Sequence, residues 1–199
     1  MAKIKLTKNE LKRQKDALKR FLRYLPTLVL KKQQLQMEIR KIEAQQTAKR
    51  TARQAAYREL EQWIALFGED LGLTNIISVE RLNLAPGNIA GVDIPLYENI
   101  EYREEPYDLF FTPLWADAAV QKIRELSALD AEIEVLDRQV QMLGEELRIT
   151  SQRVNLFEKV KIPETRDNIR RIQIYLGDEQ TAAVVRGKIA KAKLERESA

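Results

Sequence analysis

The sequence predicts a mainly α protein: a long antiparallel two-helix coiled coil with a small central head containing a β-hairpin. Three observations predict it. The 199 residues hold only 7 glycines and 6 prolines while 32% are charged, a composition poor in turns and rich in solvent-facing side chains. Two long stretches, one towards each end of the chain, carry apolar residues three, four or seven positions apart, the spacing of one helix face. Only the middle is β-branched and partly alternating, the period of a strand.

The first helix starts at Thr7, which with Glu10 forms a capping box, and runs to about Phe67. Its stripe is Leu11, Leu18, Leu22, Leu25, Leu28, Leu35, Ile39, Ile42, Tyr57, Leu60, Ile64 and Phe67. Pro26 predicts a kink or break, and Gly68 a C-terminal stop. Between Ile42 and Tyr57 the large apolar residues give way to Ala44, Ala48, Ala52, Ala55 and Ala56, small side chains that predict close approach of the partner helix.

The second helix starts near Asp117, a candidate cap. Its stripe is Val120, Ile123, Leu126, Ile133, Leu136, Val140, Leu143, Leu147 and Val154, then Ile169, Ile172, Leu176, Val185 and Ile189 beyond Pro163. Pro163 fits the first turn of a renewed helix or a kink. Gly177 and Gly187 each cost roughly 1 kcal/mol relative to alanine, so helix is least strongly encoded there.

Between the helices, Ile76 to Leu84 and Ile89 to Arg103 read as two strands, with Ala85-Pro86-Gly87-Asn88 as the turn and Pro95 placing part of the second strand on an edge. The aromatic segment Tyr107 to Trp115 is expected to pack this head onto the helices. The expected organisation is therefore residues 1–67 as the N-terminal coiled-coil helix, 68–116 as the head and 117–199 as the C-terminal coiled-coil helix. Helices of ~45 to 60 residues are ~65 to 90 Å long at 1.5 Å per residue and cannot bury such stripes separately. They pair antiparallel, with both termini at one tip.

Charge is unevenly placed. Residues 1–60 hold 17 basic and 5 acidic side chains, 61–147 hold 5 and 18, and 148–199 hold 12 and 7. The tip is thus a cationic rod. Lys8, Lys12 and Arg13 on one arm and Arg166, Arg170, Arg171, Arg186 and Lys188 on the other are its candidate contact residues. They are compatible with nucleic acid held by phosphate neutralisation, with an acidic protein socket, or with a solvated coiled-coil surface. In the head, Ile76, Val79, Ile89, Val92 and Ile94 are candidates for a docking edge, since a two-stranded hairpin is marginal alone.

Several chemistries are excluded. The chain has no cysteine and no histidine, which removes thiol nucleophiles, thiolate metal sites and the usual proton shuttle. Neither glycine cluster, Gly68 to Gly72 or Gly87 to Gly91, has the spacing of a phosphate loop. The acidic pairs Glu104-Glu105 and Glu145-Glu146 lack a convergent ligand set, so no metal or cofactor is expected. No run approaches the ~18 to 20 apolar residues that cross a bilayer. The opening MAKIKLTKNELKRQKDAL has charges where a signal peptide is apolar, and a cytoplasmic location is expected.

The stretch RVNLFEKVKIP, Arg153 to Pro163, followed by Thr165, Asn168, Ile169, Ile172, Leu176, Asp178-Glu179 and the basic tail Arg186 to Lys193, resembles the signature of the D subunit of the V-type (V/A-type) ATPase or ATP synthase. Thr7 to Leu11, Thr27 to Leu35 and the Ala90 to Pro95 segment AGVDIP are similar to other parts of that family's pattern. Leu25-Pro26, Lys31 to Gln34 and Glu179 to Thr181 depart from it, as in a divergent bacterial branch. The resemblance implies a non-catalytic central rotor shaft, present in a single copy and peripheral to the membrane without inserting into it. Its partners are then the catalytic A and B subunits around the terminal helices, and the F subunit and the socket subunit of the membrane ring at the head. No nucleic acid and no cofactor are implied. On that footing the eight basic residues above face the A/B hexamer, and the five apolar residues of the hairpin face the F subunit.

Overall fold

The computed structural model describes residues 4–61, 76–106 and 115–197. Helix α1 spans Lys8–Glu61. Strands β1, Ile77–Ile89, and β2, Val92–Glu104, form an antiparallel hairpin. Helix α2, Ala116–Asn155, passes through a π-helical turn, Leu156–Lys161, into α3, Ile162–Glu197. The expected stop at Gly68 and all of the aromatic segment but Trp115 lie outside the described residues.

The α1 start follows from its cap: the Glu10 N–H donates to Thr7 Oγ1 at 3.3 Å and the Leu11 N–H to the Thr7 carbonyl at 3.0 Å. The Glu10 carboxylate does not return the bond; it accepts from Gln14 Nε2 at 2.9 Å. Pro26 does not break α1. It removes one backbone donor, while Thr27 Oγ1 donates to the Tyr24 carbonyl at 2.8 Å in the same turn. Asp117 is not the α2 cap: the Trp115 carbonyl accepts the first bond, from the Ala119 N–H at 3.0 Å. Asp117 instead stands in the first turn, where its charge opposes the positive end of the helix dipole. α3 continues through Gly177 and Gly187.

The chain forms two compact units, Met1–Lys31 with Thr150–Ala199, and Lys32–Ile149. In the second unit α1 and α2 run antiparallel, because from Lys49 and Arg50 to Glu59 on α1 the partners on α2 move back from Glu132 and Asp137 to Lys122. Arg50 Nη2 meets Asp137 Oδ1 at 3.1 Å, Lys49 pairs with Glu132, Arg53 pairs with Asp130, and Lys122 Nζ meets Glu59 at 2.7 Å. Partly exposed pairs of this kind each contribute ~0 to 1 kcal/mol, so their role is to set register. They also replace the alanine packing expected from sequence. Ala44, Ala48, Ala52 and Ala55 are not buried, and Ala56 is the buried one of the five. The half-buried positions between Ile42 and Ala56 belong to Gln46, Lys49 and Arg53.

The hairpin turns at Ala90-Gly91, not at Ala85 to Asn88, which lie within β1. The reason is register. Ile89 pairs with Val92, and further along the alternation of the ladder leaves Pro86 opposite Pro95, where neither N–H is needed between the strands. The turn uses left-handed backbone at both central positions, φ 52° at Ala90 and 78° at Gly91, the primed geometry that suits strand twist. Asn88 Oδ1 accepts the Gly91 N–H at 3.1 Å while its Nδ2 donates to Asp93 at 2.6 Å. Replacing Ala90 with Gly or Asn is expected to raise stability by about 0.5–1 kcal/mol by relieving that φ, and Gly91→Ala to lower it. Urea denaturation of the variants checks both signs.

The hairpin is held by two apolar clusters. Its tip packs Ile94, Ile89, Ala90 and Val92 against Leu35 and Ile42 of α1 and Leu143 of α2. Its base packs Ile76, Ile77 and Tyr102 against Val120 and Ile123. Polar bonds fix the level along α2: Tyr102 Oη meets the Arg124 carbonyl at 3.0 Å and Ser127 Oγ at 2.9 Å, and Gln139 Nε2 donates to the Pro95 carbonyl at 2.5 Å.

Candidate partner-binding surfaces

All eight basic candidates are exposed: Lys8, Lys12 and Arg13 on α1, and Arg166, Arg170, Arg171, Arg186 and Lys188 on α3. Two are engaged within their own helix, Arg171 with Asp167 at 2.7 Å and Arg13 with Glu10 at 3.6 Å. The other six have no carboxylate within ion-pairing distance among the described residues. All eight belong to the first compact unit. Helix periodicity explains their exposure, since the buried positions of α3 are Ile162, Thr165, Asn168 and Ile172, and the cations fall between or beyond them.

From Gly177 to Arg196 every residue of α3 is exposed. Val184, Val185, Ile189 and Leu194 are there at 59%, 50%, 55% and 66% exposure, with Arg186, Lys188, Lys191 and Lys193 interspersed. A solvated helix of about five turns keeps its large apolar side chains on a packed face. This one has apolar groups and cations on several sides and no packed face. Periodicity alone continues the coiled-coil stripe through Val185 and Ile189; in the structure they are not buried.

The five hairpin candidates are not one surface. Ile76 and Ile94 are buried, and Ile89 and Val92 are half-buried against α1 and α2. Val79 is the exposed one of the five, at 54%. Leu84 and Leu96, which sequence reasoning missed, are also substantially exposed. Their burial state depends on which strand face lies on the helices, and the two register shifts in the ladder, between Val79 and Arg81 and between Asn83 and Leu84, obscure that in the bare alternation.

Electrostatics in the second unit mark a structural network. The Lys122 ammonium is held above the usual lysine range by its hydrogen bonds to Glu125 and Glu59. Burial pushes the Tyr97 phenol up, with Glu132 and Tyr102 adding to it. Both groups keep their proton in the folded chain to higher pH than in the unfolded chain, so the stability they contribute is present below pH ~10 and is lost as pH rises through the folded values. Thermal unfolding between about pH 9 and 11.5 is expected to show this fall, shallower in Tyr97→Phe.

Among the described residues no His, Cys, Asp and Glu group could hold a metal ion, and no helix is long and apolar enough to cross a membrane. What the surface offers is a cationic, apolar-studded helix end and a docked hairpin. The family model of the ATP synthase D subunit matches residues 10–192. The V-type ATP synthase D subunit of Borreliella burgdorferi is 53% identical over 194 residues, covering 98% of this chain and 96% of that one. The V-type ATP synthase D subunits of Chlamydia felis and Chlamydia trachomatis serovar L2 are each 36% identical, over 98% of this chain and 95% and 98% of theirs. With a match this long carried through both long helices and the hairpin between them, the chain belongs to the ATP synthase D-subunit family.

Proposed function

We propose that this chain is the non-catalytic central-stalk subunit, the rotor shaft, of a V/A-type ATPase or ATP synthase. It transmits torque between ATP hydrolysis or synthesis in a hexamer of A and B subunits and proton or sodium transport by the membrane ring. A single copy enters the hexamer with its terminal helices. The head, residues 68–116, meets the F subunit and the socket subunit, holding the chain peripheral to the membrane on its cytoplasmic side.

The observation that carries this reading is the end of α3. A helix with four large apolar side chains at least half exposed and cations around it is suited to an enclosing protein collar. A nucleic-acid rod needs the cations but has no use for the apolar groups, nor for an acidic, docked hairpin. Family membership supports the same assembly.

The mechanism follows from linkage. A rod without threefold symmetry, inside a ring with three catalytic interfaces, makes different contacts at each and so favours a different nucleotide state at each. By reciprocity, a change of nucleotide state turns the rod. Lys8, Lys12, Arg13, Arg166, Arg170, Arg171, Arg186 and Lys188 act in this scheme by electrostatic complementarity to the collar, which governs orientation and approach more than affinity. The triple variant R166Q/R170Q/R171Q is expected to assemble and turn over less well, with a deficit that changes with ionic strength; equal assembly at all salt concentrations removes charge from the mechanism. The broader test is co-purification with the A, B and F subunits and ATPase assay with and without the chain. A one-copy complex whose steady turnover needs the chain supports the rotor. A chain that stays apart and binds DNA with a steep salt slope overturns it.

A further inference from the structure

The π turn arises from a mismatch in residue spacing. Along α1 the inward positions of the first unit, Leu11, Gln14, Leu18, Phe21, Leu25 and Leu28, alternate by three and four residues without interruption, including past Pro26. On the other strand of that unit the buried residues are Thr150 and Val154, then Ile162, Thr165, Asn168 and Ile172. Val154 and Ile162 are eight residues apart, where a heptad stripe has seven. In an unbroken α-helix eight residues advance about 80° beyond two full turns, which swings Ile162 off the inward face.

The turn Leu156–Lys161 absorbs the extra residue. Its bonds close five residues back, as where the Ile162 N–H reaches the Phe157 carbonyl, so one residue more is lodged in the turn. Phe157 is pinned by stacking on Phe21, with ring centroids 5.3 Å apart and planes inclined by 30°. Glu158, Lys159 and Val160 are exposed. Pro163 has no N–H and disfavours a straight α-helical bond to the Lys159 carbonyl. Thr165 Oγ1 donates to the Lys161 carbonyl at 2.6 Å, closing the ladder again beyond the defect.

We propose that Leu156–Lys161 is a torsional joint: a lodged one-residue insertion that can convert between π and α, turning α3 about its axis relative to the end of α2. The π form is held by burial of Ile162 and Ile172. Conversion to α turns that face by about 80°, so twisting load on α3 concentrates in this turn, a two-state element of the kind that stores conformational change. In a rotor this placement gives compliance beside the basic arm. That consequence rests on the rotor reading; the joint itself does not, and it is tested on the isolated full chain.

Native-state hydrogen exchange on the full chain is the test. Amides of residues 157–162 are expected to exchange at least about tenfold faster than those of 148–154 and 167–172. Pro163→Ala alone is expected to leave the segment fast, because the eight-residue spacing remains. Deletion of Glu158 combined with Pro163→Ala restores the seven-residue spacing and is expected to fold and slow the segment to the rate of its flanks. Deleting exposed Gln152, with residues 156–163 intact, throws the stripe out of phase and is expected to lower the thermal midpoint. Wild-type exchange equal to the flanks, slowing by Pro163→Ala alone, or failure of the Glu158 deletion variant to fold overturns the joint, and leaves the co-purification result untouched.

Discussion

Ending the chain after Leu176 is expected to leave the fold standing and, on the rotor reading proposed above, to disconnect the chain from the catalytic hexamer. Residues 177–196 are all exposed, so their removal strips no packed core from the described structure, and unfolding free energy is expected to change by less than about 0.5 kcal/mol. Assembly loses the apolar side chains of Val184, Val185, Ile189 and Leu194 together with the cations interspersed among them. Truncation is therefore expected to reduce chain-dependent ATP turnover more than about tenfold, equivalent to ~1.4 kcal/mol or more of coupling. Circular dichroism melts and steady-state ATPase assays on the same preparation separate the two effects. A truncated chain that melts early would mean that the segment packs on its own protein.

The second large effect is Leu143→Ala. Leu143 is fully buried where the hairpin tip meets α1 and α2, in contact with the cluster of Leu35, Ile42 and Ile94. Truncating a leucine in such a place costs about 3–4 kcal/mol through lost transfer energy and the cavity left behind. The cavity opens beneath Ile94, so the hairpin is expected to loosen, with faster amide exchange in β1 and β2 than global unfolding accounts for. Leu194→Ala, at an exposed site on α3, is expected to stay within about 0.5 kcal/mol. A cost below about 1 kcal/mol for Leu143→Ala would show that the hairpin is fastened elsewhere, by the Tyr102 and Gln139 bonds.

Periodicity made the two long helices legible, because an apolar face repeated over many turns outweighs the local preference of Pro26; beyond Gly177 the helix continues with no packed face. The hairpin was legible for the opposite reason, a β-branched interval between helical runs. Its turn was misplaced because Pro86-Gly87 is a strong local signal and Ala90-Gly91 a weak one, and only pairing register decides between them. The basic and acidic blocks were visible, yet which lysine meets which carboxylate depends on the antiparallel register, so the pairs from Lys49 to Lys122 were not. The cations of the tip are legible from composition, while the exposure of Val185 and Ile189 was hidden by their place in a continuing stripe. The π turn left one trace, the eight residues from Val154 to Ile162, which becomes readable once Ile162 is known to be inward.

The most direct test of the rotor account is to watch the chain turn. It has no cysteine, so Glu98→Cys on an exposed part of β2 gives a single attachment point for a visible probe, outside the hairpin residues assigned to the F subunit and distant in sequence from both helical ends. With the A and B subunits immobilised and ATP supplied, the account predicts unidirectional rotation of the probe with three resting positions per turn, stopping when ATP is withdrawn. A complex that hydrolyses ATP at full rate while the probe on a stably bound chain stays still would contradict it.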